Sequence, residues 1–266
     1  MSTPIASHRS APGDAPVGLA ARAASPAVRL TSVSAQYGTG ALVLDDVSLE
    51  IATGQFVCIL GGSGCGKSTL LHLIAGIDAP SAGTIETPAG GAALMFQDAA
   101  LLPWLTARGN VELALRLRGI ARAARRARAR ELLDVVGLAD AENRRPHELS
   151  GGMRQRVALA RSLAQDRPVL LMDEPFAALD VATRELLHDE LERVWRVTGR
   201  TIVFVTHDVA EAARLGQRVV LLSSRPGRIA REWHLDAGGS RTADAPATAE
   251  LADEIMTFLR EEKARV

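Results

Sequence analysis

The sequence predicts an α/β protein: a mixed parallel sheet wrapped by helices, with an antiparallel β layer ahead of it and a helical subdomain inserted into it. Three observations carry this reading. Two early segments alternate apolar and polar residues, as half-buried strands do; a short apolar run then enters a glycine-rich loop and an amphipathic helix; and strand-and-helix character returns over 169–222 after a helical stretch. The 266 residues can bury a substantial core, and 47% apolar content suits a globular chain.

Taken in order, residues 1–27 are rich in Ala, Pro, Ser and Arg but lack the continuous apolar stretch of a secretory signal, so a disordered extension is expected in preference to a transit peptide. Residues 28–37 and 42–51 read as the antiparallel layer, and 55–60 (QFVCIL) as a buried strand leading to a helix that begins at 68–75 (STLLHLIA). Residues 106–164 read as helices with Thr106 and Ser150 as N-caps, which places a helical subdomain over about 98–165 inside one domain spanning 28–235. Strands return at VLLMDE, TIVFVTHD and RVVLLSS, and 236–266 reads as a Gly/Ala/Ser/Thr-rich linker to about 248 followed by a helix over 249–262.

Composition excludes several classes of function. The 31 basic and 31 acidic side chains give no net charge that calls for nucleic acid, and the seven arginines over 116–130 lack interleaved aromatics, so they read as a solvated helix face. Two cysteines, Cys58 and Cys65, make no disulfide framework and suit a reducing cytoplasm. No apolar run is long enough to span a bilayer, so any membrane role requires a partner.

The loop GGSGCGKST, from Gly61 through Gly62, Ser63, Gly64, Cys65 and Gly66 to Lys67, Ser68 and Thr69, fits the pattern G-x-x-x-x-G-K-S/T. Glycines let the backbone turn its N–H groups onto phosphate oxygens, Lys67 adds a mobile charge, Ser68 offers an oxygen to Mg²⁺, and the following helix presents its positive end. A nucleoside triphosphate with magnesium is the expected ligand. Asp173 and Glu174 end an apolar strand at the edge where parallel sheets bind ligands; strand alternation assigns them to opposite faces, Asp173 toward the metal and Glu174 as the general base that deprotonates water. Ser150, Gly151 and Gly152 (in LSGGM) open a second helix end toward an anion. One triphosphate is not easily gripped head-on by two helix ends of one compact chain, whereas two copies facing head to tail can do it.

Together these motifs resemble the ATP-binding cassette (ABC) ATPases, and the resemblance covers about 28–229: GGSGCGKST, FQD, LSGGM, VLLMDEP, AALD and VTHD stand in that family's order. The resemblance implies ATP and Mg²⁺ on Lys67, Ser68 and Thr69; Gln97 sensing the metal and attacking water; Glu174 as catalytic base; His207 on the γ-phosphate; Asp180 communicating across the dimer; and Tyr37 stacking on adenine. Met153 stands where many members have glutamine, which touches one polar contact to the nucleotide, and Ala177 where many have serine, which weakens one hydrogen bond; Cys65 occupies a variable position.

A single cassette without a membrane segment resembles the detached ATPase subunits of bacterial importers. FQDAALLPWLTARGNV and LSSRPGRI look like the branch serving taurine or other sulfonates first and nitrate next; Pro103 and Trp104 stand where the family docks a permease helix, and read equally as a docking anchor or as core. The resemblance thus implies a second copy of the chain, integral membrane permeases and, indirectly, a solute-binding protein as partners, at the cytoplasmic face of the cell membrane. A cassette ATPase of translation or DNA repair is the alternative class, but a second cassette or a long heptad insertion is missing; a P-loop kinase gives no reason for LSGGM or VTHD.

Overall fold

The computed structural model describes residues 26–235 and 246–264. In the first layer, β1 (Val28–Gln36) pairs antiparallel with β2 (Leu42–Ile51), and β4 (Ala82–Glu86) lies antiparallel on the other edge of β1. The sequence AGTIE is too small and polar to announce β4; it stays almost wholly exposed and is held by backbone pairing. Of the extension expected over 1–27, residues 1–25 lie outside the described residues, while Ala27 is buried and donates its N–H to Ile51 O at 2.7 Å.

The second sheet has the order β5-β6-β7-β3-β8-β9. Strands β3 (Phe56–Leu60), β5 (Ala92–Met95), β6 (Val169–Asp173), β7 (Thr201–Thr206) and β8 (Arg218–Leu222) run parallel, and β9 (Ile229–His234) returns antiparallel on β8, so the sheet is mixed as expected. Alternation divides each buried strand between two cores. Phe56, Cys58 and Leu60 face the helical side with Leu115, Leu133, Leu159 and Leu191, whereas Val57 and Ile59 face Val33, Val47 and Leu71 on the other. Each such side chain contributes about 1.5–3 kcal/mol by leaving water, which explains why the central strands read as continuous apolar runs.

Helix α1 (Lys67–Ile74) follows β3 directly. Between β5 and β6 lie α2 (Ala107–Leu117), α3 (Arg122–Val135) and α4 (Gly151–Ala164). Thr106 Oγ1 accepts from Gly109 N at 3.1 Å and Ser150 Oγ from Met153 N at 3.2 Å, so both expected N-caps form. The arginine-rich stretch is a solvated face with local partners: Arg118 meets Asp166 at 2.6 Å, Arg128 meets Glu131 at 2.7 Å, and Arg130 meets Glu142 at 2.7 Å. The Arg130 hydrogen bond, with Arg108 nearby, holds the Glu142 carboxyl below the usual carboxylate range.

Helices α5 (Val181–Thr198) and α6 (Val209–Leu215) flank β7, and α7 (Pro246–Ala264) closes the helical side, starting three residues before the expected 249. Arg231 lies 5.1 Å from the ring centres of both Trp233 and Phe258, and Trp233 Nε1 donates to Glu254 at 3.0 Å, which fixes α7 to β9. Most of the expected linker, residues 236–245, lies outside the described residues. Among the described residues no helix is long and apolar enough to cross a membrane.

Candidate nucleotide-hydrolysis site

The phosphate loop leaves the carboxyl end of β3 and closes onto α1 at Gly66, which adopts φ 102°. That φ lies where glycine is favoured, and a Cβ there would also crowd Leu44 Cδ2 at 2.6 Å and Val43 O at 3.1 Å. Lys67 is only 6% exposed. Its Nζ donates to Gly61 O at 2.9 Å and Gly62 O at 3.0 Å and stands 3.4 Å from Glu174 Oε1. The ammonium expected to be mobile is therefore held inside the loop.

A cavity of ≈ 510 Å³ opens in front of the loop, lined by Val43, Ser63, Gly64, Gly66, Lys67, Ser68, Thr69, Gln97, Asp173, Glu174 and Arg225. Asp173 and Glu174 both line it, which corrects the expectation that strand alternation separates them. The strand ends at Asp173, and Glu174 has left strand geometry with φ 42°, its N–H donating to Val205 O at 3.0 Å. That left-handed turn costs roughly 1–3 kcal/mol for a residue with a Cβ, and it brings the second carboxylate round to the side of the first. Glu174 Oε2 then meets His207 Nδ1 at 2.9 Å, so one carboxylate joins the loop lysine to the histidine.

His207 itself is mostly exposed, but the chain around it is braced. Thr206 hydrogen-bonds to the buried Glu211, whose other oxygen lies 2.7 Å from His188 Nε2, and Thr206 Oγ1 accepts from Asp208 N at 3.0 Å. Gln97 is exposed, and Gln155 Nε2 donates to its backbone oxygen at 2.8 Å, linking α4 to this segment. Neither Gln155 nor Arg225 was singled out from sequence. Gln155 sits two residues beyond LSGGM, and Arg225 lies in LSSRPGRI, a segment read only as a branch marker.

Other expected residues stand apart from the cavity. Ser150, Gly151 and Gly152 open α4 without lining it, and Met153 packs its side chain against the core. Tyr37 is half exposed on the β layer, its hydroxyl 2.8 Å from Asp78, and partial burial raises its pKa. Asp180 caps α5 by accepting from Thr183 N at 2.9 Å, which pulls its carboxyl below the usual range. Cys65 turns from the loop into the core cluster that holds β2; burial pushes its thiol pKa up, with Lys67 opposing. Such a thiol stays protonated and inert.

Binding a triphosphate needs only the loop; a carboxylate beside the loop lysine, with a histidine on its other oxygen, adds what hydrolysis needs. The fold and site define a P-loop nucleoside triphosphatase. The model of the ABC transporter family matches residues 44–177. The chain is 45% identical over 235 residues to the nitrate import ATP-binding protein NrtD of Synechocystis sp., covering 82% of this chain and 88% of that protein. It is 46% identical over 242 residues to the taurine import ATP-binding protein TauB of Pseudomonas fluorescens, covering 88% and 92%. The dimeric post-hydrolysis state of the ATP-binding cassette MJ0796 bound to ADP and Pi superposes with a TM-score of 0.70 at 36% identity, covering 79% of this chain and 100% of that one. The chain belongs to the ABC transporter family, as an ATP-binding ATPase.

Proposed function

We propose that this chain hydrolyses ATP for an importer of a small oxyanion, taurine or another sulfonate first and nitrate next. Supporting the solute class, relatives at 45% and 46% identity are named for nitrate and taurine import. The observation that carries the hydrolytic role is the Lys67–Glu174–His207 arrangement, with separations of 3.4 and 2.9 Å.

In this reading Lys67 leaves the Gly61 and Gly62 carbonyls for the β- and γ-phosphates, which the loop N–H groups from Gly61 to Thr69 also bind. Moving Lys67 frees Glu174 Oε1 to accept a proton from water, while His207 holds Oε2 and turns toward the γ-phosphate. Tyr37 stacks on adenine from the β layer. Ser68, Gln97 and Asp173 line the cavity and offer a hydroxyl, an amide oxygen and a carboxylate, hard oxygen donors that would hold magnesium beside phosphate. Mg²⁺ would neutralise charge on the phosphate oxygens.

Ser150, Gly151 and Gly152 complete the nucleotide site of a second, head-to-tail copy, and Asp180 passes its state across that interface. Trp104, 67% exposed beside Pro103, supports this segment as an apolar anchor for a permease helix, and with such a partner the chain would work at the cytoplasmic face of the cell membrane. The permease in turn meets a solute-binding protein.

The test is Glu174→Gln, which preserves shape and removes the base. ATP binding is expected to persist while hydrolysis falls at least ~10²-fold; near-normal turnover sinks the assignment. Co-purification with an integral membrane permease supports the importer, and recovery with ribosomes or DNA ends instead reverses that choice.

A further inference from the structure

We infer that Arg225 is a phosphate-binding residue of the nucleotide site, carried there by a hairpin strap outside the family's matched segment of 44–177; this inference rests on the ATPase reading above. The strap is the turn over 223–228 that joins β8 to β9. Its backbone is bound to β2 on both sides: Gly227 N donates to Val43 O at 2.8 Å, and Asp45 N donates to Gly227 O at 3.0 Å. Arg228 Nε adds a bond to Asp45 at 3.0 Å, and Ser223 Oγ accepts from Arg228 N at 3.0 Å. The strap also presses on the phosphate loop itself. A Cβ on Gly227 would stand 2.1 Å from Cys65 O, so only glycine allows this approach.

From that fixed turn Arg225 reaches over the loop. Its Nε donates to Gly64 O at 2.8 Å, and one terminal nitrogen lies 2.6 Å from where a Gly64 Cβ would be. The guanidinium thus covers the loop and lines the same cavity as Lys67, Ser68 and Glu174. No carboxylate among the described residues pairs with it, whereas Lys67 faces Glu174 at 3.4 Å. Of the four charged side chains that line the cavity, Lys67 and Glu174 pair with each other, while Arg225 has only the Gly64 carbonyl as its partner. A polyphosphate entering the cavity supplies what the planar guanidinium lacks, an anionic acceptor for its terminal N–H groups while Nε stays on Gly64 O.

The test measures equilibrium binding of ATP, by the intact protein in buffer with magnesium, for Arg225→Ala and Arg225→Gln. Gln can still donate to Gly64 O but carries no charge, so it separates phosphate binding from mere bracing of the loop. Both variants are expected to lose about tenfold in affinity, the scale of a hydrogen bond to a charged group, with Arg225→Lys in between and the unfolding midpoint without nucleotide unchanged. A loss below about fivefold in either Ala or Gln, or a lowered midpoint that accounts for it, overturns the inference. Lys67→Ala in the same assay is the control for the site as a whole: if wild type binds no ATP, or Lys67→Ala binds like wild type, the ATPase reading fails; if Lys67→Ala weakens binding while the Arg225 variants do not, the role of Arg225 fails alone.

Discussion

Behind His207 the molecule buries a carboxylate outside the cavity in front of the phosphate loop. Glu211, 8% exposed, hydrogen-bonds Thr206 on one oxygen and stands 2.7 Å from His188 Nε2 on the other, and Arg214 closes the group by reaching His188 Nδ1 at 3.3 Å and Asp189 at 2.7 Å. Because Thr206 also accepts from Asp208 N, residues on both sides of His207 hang on one carboxylate. Glu211→Ala leaves the buried His188 Nε2 and the Thr206 hydroxyl without their shared acceptor, and losing hydrogen bonds to a buried carboxylate costs about 1–3 kcal/mol. The expected result is a lower urea midpoint with an unchanged slope, and a smaller loss for Glu211→Gln, which keeps shape and hydrogen-bonding atoms. A cost below about 1 kcal/mol for the alanine variant would mean that water replaces the carboxylate freely.

At the scale of elements, one carboxylate holds the inserted helices together. Glu142, between α3 and α4, receives Arg108 of α2 at 2.8 Å and Arg130 of α3 at 2.7 Å. Its native pKa is depressed, chiefly by the Arg130 hydrogen bond, so the stabilisation is full above the ordinary carboxylate value, roughly 4.3, and is lost as pH falls through the lower native value. Glu142→Gln should therefore cost about 1 kcal/mol at pH 7, near the low end for charge-assisted bonds because Arg130 is half exposed, and progressively less below about pH 4. Urea unfolding of both proteins at pH 7 and at about pH 3 checks this; an equal difference at both sinks the explanation. The same scale shows what sequence makes legible. Strands β3, β6, β7 and β8 are buried on both faces, so their apolar runs declare them, and the caps Thr106 and Ser150 mark helix starts through local chemistry. β4 and β9 carry small or half-polar sequences and exist because a neighbouring edge pairs with them, which is a non-local cause. The placement of Glu174 was misread for a related reason: alternation governs strand residues, and the chain leaves the strand one residue before it. Arg225 was missed because 161 positions separate it from the Gly64 carbonyl it meets.

For the whole molecule the decisive fact is that the phosphate loop lines the cavity while the LSGGM helix start, proposed above to close over a nucleotide, does not. Gln97, Asp173 and Glu174 line the cavity with the loop. A solved cassette of TM-score 0.70 to this chain is a dimer with ADP and Pi. If each nucleotide is enclosed by the loop of one copy and the Ser150 helix of the other, lesions in the two features must complement one another. Ser150→Arg places a bulky side chain and loses the hydroxyl that caps α4, and Lys67→Ala removes the loop cation; each homodimer then carries one lesion in both sites and is expected to lose hydrolysis. In a heterodimer, one composite site collects both lesions and the other has an intact loop facing an intact helix end. Mixing the two inactive proteins is expected to restore about a quarter of wild-type activity, since random pairing makes half the dimers mixed and each mixed dimer has one sound site. The check is a titration of one variant into the other at fixed total protein, with activity peaking near equal amounts. A mixture that stays as inactive as its components would place both features in the same chain's site, and Ser150 would then be a helix cap with no part in catalysis.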